Sequence, residues 1–208
     1  ALSIITIPMI VVSTINTLLI PDLSQTLHQG KEYEASLRIR KVIKLAFLLG
    51  LATAIICNIV PVNLGEMFFG RDDLGNYIRF SSLSAPIIFT SLTMFGILNG
   101  LNRQGVILRN SLIEAVTELA GLYIFTAIHS INIFGYSITI CIACSISFLL
   151  NIHEVKKHID ININICNIII YLLLALLVFL IVSIFSKHFS ADFPIVNNFL
   201  VIGITFLI

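Results

Sequence analysis

The sequence predicts an all-α protein, a polytopic bundle of transmembrane helices with six full spans and one truncated span. Three observations predict it. The chain is 58% hydrophobic and only 11% charged, against about 45–50% and about 25% in soluble domains. Its mean hydropathy is +1.04, and 12 Lys or Arg with 11 Asp or Glu are too few to cover a soluble domain, so lipid is the expected solvent. A membrane helix needs about 20 mainly apolar residues to cross about 30 Å of hydrocarbon. The stretches 1–20, 42–64, 79–100, 109–128, 131–151 and 165–186 meet that length, and 195–208 begins a seventh. The connections are short, the longest running from 22 to 41, and none has room for a soluble catalytic domain.

Each stretch carries its own markers. The first contains Pro8 and ends at Pro21; a proline inside a helix removes a backbone hydrogen bond and clashes with the preceding turn, so Pro8 is expected to kink its span. In the connection that follows, Leu37, Val42 and Leu45 alternate with Arg38, Lys41 and Lys44. That pattern suggests a helix lying along the interface before the chain turns into the second span. Its cations serve either as positive-inside anchors or as contacts to anionic lipid phosphate. The third stretch holds Pro86, a second expected kink, and a Gly96/Gly100 spacing that lets another helix approach closely. Residues 1–151 form one set of spans, and 152–208 add two more, the last truncated.

Lys and Arg fix the expected orientation. The odd connections and their flanks hold Lys31, Arg38, Arg40, Lys41, Lys44, Arg103, Arg109, Lys156 and Lys157, against Arg71, Arg79 and Lys187 in the even ones. Nine against three puts the odd connections in the cytoplasm. The chain begins at Ala1 and stops at Ile208 inside apolar runs, so a fragment of a longer polytopic protein is expected. A formal charge of +1, with no interleaving of aromatic and basic residues, offers nothing to nucleic acid.

Cys57, Cys141, Cys144 and Cys166 lie in or at the ends of apolar stretches, where thiols act as small hydrophobes. His28, His129, His153, His158 and His188 fall in connections and form no HExxH pattern. No metal or other cofactor is expected, apart from a coupling cation, H+ or Na+.

The fourth stretch poses the chemical question. Glu114 and Glu118 are four apart and share one helix face. If the span starts at Arg109, they lie about 8 Å and about 14 Å in, at about 1.5 Å per residue. A carboxylate at that depth costs a few kcal/mol even on lenient scales, so it should face a bundle interior or a wet cavity. Asn110 and Thr117 lie within a turn and are expected to line the same cavity. One reading is a polar patch in a translocation path, with one proton or cation held between the two carboxylates. The other is a pair that is protonated, or bonded to a neighbouring helix, and serves packing alone.

The order of LLIPDLSQ, RIRKVIKLAFLLGLATAI, GEMFFGRDDLGNYIRFSSLSAPIIFTSLTMFGILNGLNRQ, RNSLIEAVTELAGLYIF and INIFGYSITICIACSISFLLNI resembles the later half of the stage V sporulation protein B and polysaccharide-flippase family. That family belongs to the multidrug/oligosaccharidyl-lipid/polysaccharide exporter superfamily. The resemblance covers about residues 8–155 and rests on order and spacing. It implies about fourteen helices in two lobes that rock to alternate access, with this chain as most of the second lobe and two further helices. The first lobe would then be the missing partner. The implied function is a non-enzymatic flippase of the bacterial cytoplasmic membrane that moves lipid-linked oligosaccharide, polysaccharide or cell-wall precursors. The features carried over are the Pro21 helix end, the GLNRQ turn with Arg103, and the polar-faced span after Arg109; Glu118 departs from the basic residue often found there.

Arg103 and Arg109 are candidate phosphate contacts, since a planar guanidinium donates two hydrogen bonds at once. A multidrug exporter of the same superfamily is the alternative, with Phe80, Phe89 and Phe95 as a cavity wall. An integral-membrane transferase is less favoured, because the loops are short and no Ser, His and Asp constellation appears.

Overall fold

In the computed structural model, residues 2–71, 73–128, 134–161 and 165–189 are described, with positions 201 and 205. Among them every regular element is a helix: α1 (Leu2–His28), α2 (Glu32–Ile59), α3 (Pro61–Phe69), α4 (Gly75–Ser82), α5 (Ala85–Gly100), α6 (Gln104–Ala127), α7 (Phe134–Lys156) and α8 (Ile165–Phe189). Four of them, α1, α2, α7 and α8, are long and apolar enough to cross a membrane; the bent pair α4–α5 makes a fifth. The protein is therefore a polytopic helical membrane protein. The sequence expectation of six differs by α6, which is long enough at 24 residues but carries Arg109, Glu114 and Glu118. The expected seventh span, 195–208, lies outside the described residues except for positions 201 and 205.

The first connection is far shorter than expected. α1 continues through Pro21 to His28, and only a tight turn separates it from α2. Gly30, at φ 71°, takes the left-handed conformation. Its N–H donates to Leu27 O at 2.9 Å and that of Lys31 to Thr26 O at 3.2 Å, which satisfies the last carbonyls of the helix. The basic segment does not lie along the interface before a turn, because α2 is a single helix of 28 residues. At about 1.5 Å per residue it is about 42 Å long, so its basic first turns extend past the apolar thickness. Arg38 pairs there with Asp22 of α1. Ser13, Thr14 and Thr17 return their hydroxyls to carbonyls three or four residues back in α1, the arrangement that hides a hydroxyl in lipid.

The third stretch is broken rather than kinked within one helix. α4 and α5 meet at 47°, and Pro86 sits in the first turn of α5, where its missing N–H is not needed. The proline ring also clashes with the carbonyl four residues back, that of Ser82, which is the last residue of α4. The local carbonyls find other donors: Ser84 Oγ reaches Ser81 O at 2.6 Å, and Ser82 Oγ reaches Arg79 O at 2.8 Å. Pro8, the other expected kink, lies inside α1.

α5 is the hub and packs on α1, α2, α6 and α7. Phe89, Met94, Ile97 and Leu98 on it are fully buried. Glycines set these approaches: a Cβ at Gly96 would lie 2.8 Å from Asn16 Cβ, and one at Gly100 would lie 2.9 Å from Leu23 Cδ2, so the GxxxG face receives α1. At the end that carries the basic connections, Leu23, Ala35, Ile39, Leu98 and Val155 join α1, α2, α5 and α7 into one core. At the other end α3 closes on Gly70, and Arg71 meets Asp73 at 2.6 Å. That guanidinium hydrogen bond holds the exposed Asp73 carboxyl below the usual range.

Candidate functional site between α6 and α7

α6 and α7 pack antiparallel along most of their length, and their contact stripe is polar. On α6 it runs through Asn110, Glu114, Gly121 and Phe125; on α7 the facing positions are Asn151, Cys144, Thr139 and Gly135. Spacings of four and seven keep the α6 set on one helical face; on α7, Gly135 and Thr139 share one face and Cys144 and Asn151 another, with five residues between Thr139 and Cys144. Gly121 and Gly135 allow the closest approach, since a Cβ on either would fall within 3 Å of the partner helix.

From the basic end inward, the seam begins with Arg103, which donates to His158 Nδ1 at 3.3 Å. Glu154, almost buried, accepts from Lys157 Nζ at 3.1 Å and lies 3.7 Å from His158 Nε2. Arg109 Nε donates to Asn110 Oδ1 at 3.1 Å. Asn110 Nδ2 donates to Asn151 Oδ1 at 2.7 Å, and Asn151 Nδ2 to Ser147 Oγ at 3.3 Å. These three side chains are completely buried, so they form a closed ladder of hydrogen bonds.

One turn deeper, Glu114 is half-buried and accepts from Cys144 Sγ, with 3.6 Å between sulfur and oxygen. Glu118, also half-buried, lies one turn further along the same face of α6, between Glu114 and Gly121. Both carboxylates thus face α7, and each keeps part of its surface open. Thr117 Oγ1 returns to Ile113 O at 2.8 Å.

The structure brings Glu114 and Glu118 to one seam as the helical spacing requires. It does not put Asn110 on an open wall beside them, because Asn110 is sealed against Asn151. Thr117 has bonded its hydroxyl to its own helix. Arg103 and Arg109 lie at the basic end of the seam, hydrogen-bonded to His158 and Asn110. The aromatic wall is not assembled: Phe89 is fully buried in the hub, and Phe80 meets Phe134 edge-on at 5.2 Å.

Sequence reasoning missed the α7 side. Ser137, Cys144, Ser147, Asn151 and Glu154 recur at three, four and seven, and all are buried or half-buried. That stripe was the available signal. Cys144, read as a small hydrophobe, is a donor to Glu114. Cys57 is buried, and Cys57, Cys141 and Cys144 are all free thiols. Cys166 and His188 have side chains outside the described set, and His129 is outside it altogether. His153, expected in a connection, lies in the last turn of α7. Among the described residues no three His, Cys, Asp or Glu converge as metal ligands.

The seam and the span pattern define a helical membrane protein with a half-buried carboxylate pair on one face of α6. Over 165 residues, 79% of the chain, it is 22% identical to Stage V sporulation protein B of Bacillus subtilis (strain 168), a distant relation. The chain spans about a third, 32%, of that protein's length. No family model matches the chain, and no solved structure matches it.

Proposed function

We propose that the chain is part of a membrane transporter, a flippase that moves lipid-linked oligosaccharide, polysaccharide or cell-wall precursor across the bacterial cytoplasmic membrane by alternating access. The observation that carries this reading is the half-buried pair Glu114 and Glu118 in the α6–α7 seam of an otherwise apolar bundle. Scaffolding alone has no need of two carboxylates at that depth, where each costs a few kcal/mol. The similarity to Stage V sporulation protein B over most of the chain supports the same reading. The chain acts without catalysing a covalent step, and it works against a first lobe supplied by the rest of a longer protein.

In this reading Glu118 and Glu114 share one coupling cation, H+ or Na+, with Cys144 as a weak donor to Glu114. Glu118 keeps part of its surface open for exchange with the cavity between lobes. Arg103 and Arg109, at the basic end, draw the phosphate of the lipid carrier toward the seam. The multidrug alternative is weaker here, because its aromatic wall is dispersed between the hub and the Phe134 contact.

The test uses the full-length protein, with and without Glu118→Gln, in a conditional strain depleted of its lipid-linked sugar flippase. Growth and accumulation of the lipid-linked precursor are measured together. Rescue by the wild type and not by the variant is expected. Failure of both, with normal insertion, would overturn the substrate class and point to drug export. Equal rescue by both would remove the carboxylate from the machinery.

A further inference from the structure

A second feature lies away from the seam. α2, α5, α7 and α8 enclose a half-open groove of about 500 Å³, within the range of about 300–1,000 Å³ of small-ligand sites. Its walls are almost wholly apolar, with Phe47, Ile87, Phe148 and Leu149 among them. Its charge is confined to one stretch of α2, where Arg40, Lys41 and Lys44 line it within little more than a turn.

These three cations differ from their neighbours at the same end. Lys31 is paired with Glu34, Arg38 with Asp22, and Lys157 with Glu154. Among the described residues, none of the ion pairs neutralises Arg40, Lys41 or Lys44. Arg40 donates to the Asp160 carbonyl, at 3.3 Å. The Lys44 ammonium stands 4.9 Å from the centre of the Tyr171 ring on α8, across the groove. Three unneutralised cations above an apolar trough match one kind of occupant: a phosphate-bearing head joined to hydrocarbon chains.

We propose that this groove holds one anionic phospholipid of the surrounding bilayer, its phosphate at Arg40, Lys41 and Lys44 and an acyl chain along Phe47, Ile87 and Phe148. Tyr171 closes the head region from the α8 side, so the lipid bridges α8 to the hub helices. The site is independent of the seam and stands whether or not the protein is a flippase.

The test is native mass spectrometry of the full-length protein, titrated with phosphatidylglycerol or with phosphatidylcholine. Two triple variants are compared: Arg40→Gln with Lys41→Gln and Lys44→Gln, and Lys31→Gln with Arg38→Gln and Lys157→Gln. Both remove three charges from the same end, but only the first touches the groove. One tightly held phosphatidylglycerol per chain is expected for the wild type and the second variant, with about a tenfold or greater loss of affinity in the first. Equal loss in both variants would mean a diffuse surface attraction and overturn the site. Equal binding of phosphatidylcholine would overturn the charge argument. Displacement of the phospholipid one for one by a lipid-linked sugar diphosphate would assign the groove to the substrate instead. Absence of bound phosphatidylglycerol in the wild type would overturn the proposal. A photoactivatable phosphatidylglycerol provides a check that does not depend on any variant: labelling is expected on peptides containing residues 40–47 and 167–171, and labelling only elsewhere would overturn the proposal.

Discussion

Replacing Gly50 with alanine tests the hub directly. A Cβ at this position of α2 would lie 2.8 Å from Pro86 N and 3.0 Å from Ala85 C, and closer still to Pro86 Cα. Carbon atoms in good contact sit about 3.5–4.0 Å apart, so the two helices must separate by about 1 Å or bend. The obstacle is backbone, held by the first turn of α5, and no rotamer change relieves it. Overpacking of this kind costs about 1–3 kcal/mol, and the helix propensity of alanine returns less than about 1 kcal/mol of that. Gly105→Ala on α6 is the control, because a Cβ there meets nothing within 4 Å. It should leave stability unchanged or raise it slightly. The assay is thermal unfolding of the full-length protein in detergent, followed by light scattering and tryptic protection of α2. Gly50→Ala should lower the midpoint by about 5 °C, while Gly105→Ala should not lower it. A Gly50→Ala midpoint equal to the control would refute the close approach of α2 to the Pro86 turn.

Two further outcomes follow from the same geometry. In a double-mutant cycle on Asn110→Ala and Asn151→Ala, each single change should cost about 1–2 kcal/mol, because it strands a buried amide. The coupling energy should be about 0.5–1.5 kcal/mol; additive effects in unfolding by sodium dodecyl sulfate would remove the ladder. Pro86→Ala restores a donor at the break between α4 and α5, and spin labels at positions 76 and 99 report the result. Straightening a bend of 47° between helices of 8 and 16 residues lengthens the span by about 2.5 Å, at about 1.5 Å per residue. An unchanged distance would show that packing on α2, and not proline, sets the angle.

Helix type and the approximate place of most spans were legible, because long apolar runs have few alternatives in lipid. The α8 stretch, read as 165–186, is a helix to Phe189. Polar helix was harder to read. Residues 22–41 lack the apolar pattern of a span, yet all but the short turn at 29–31 is helical. Outside the hydrocarbon, an amphipathic segment extends a helix as readily as it ends one. The break at Leu83 and Ser84 was read as a kink at Pro86, since the serines that relieve the severed carbonyls, Ser82 and Ser84, look like ordinary small residues in sequence. At the seam, Glu114 and Glu118 stand out because carboxylates are rare in such a helix. Their surroundings do not: Ser147, Asn151 and Cys144 are each unexceptional alone and gain meaning only as one stripe facing α6. The depth of Asn110 was also hidden, because spacing gives its face but not how tightly that face is covered.

The polarity of α6 bears on how the chain enters the membrane during synthesis. α6 is not among the helices apolar enough to cross unaided, and carboxylates near the centre of a span oppose release from the translocon into lipid. The helix that answers Asn110 and Glu114 is synthesised next, after only the few residues up to 133. The expected outcome is that α6 waits beside the translocon until α7 emerges, and that the two enter the bilayer as a hairpin with their polar faces joined. In chains stalled at increasing lengths, crosslinks from α6 to the translocon should persist until α7 has cleared the exit tunnel and be lost after that; their loss before α7 emerges would refute the joint entry.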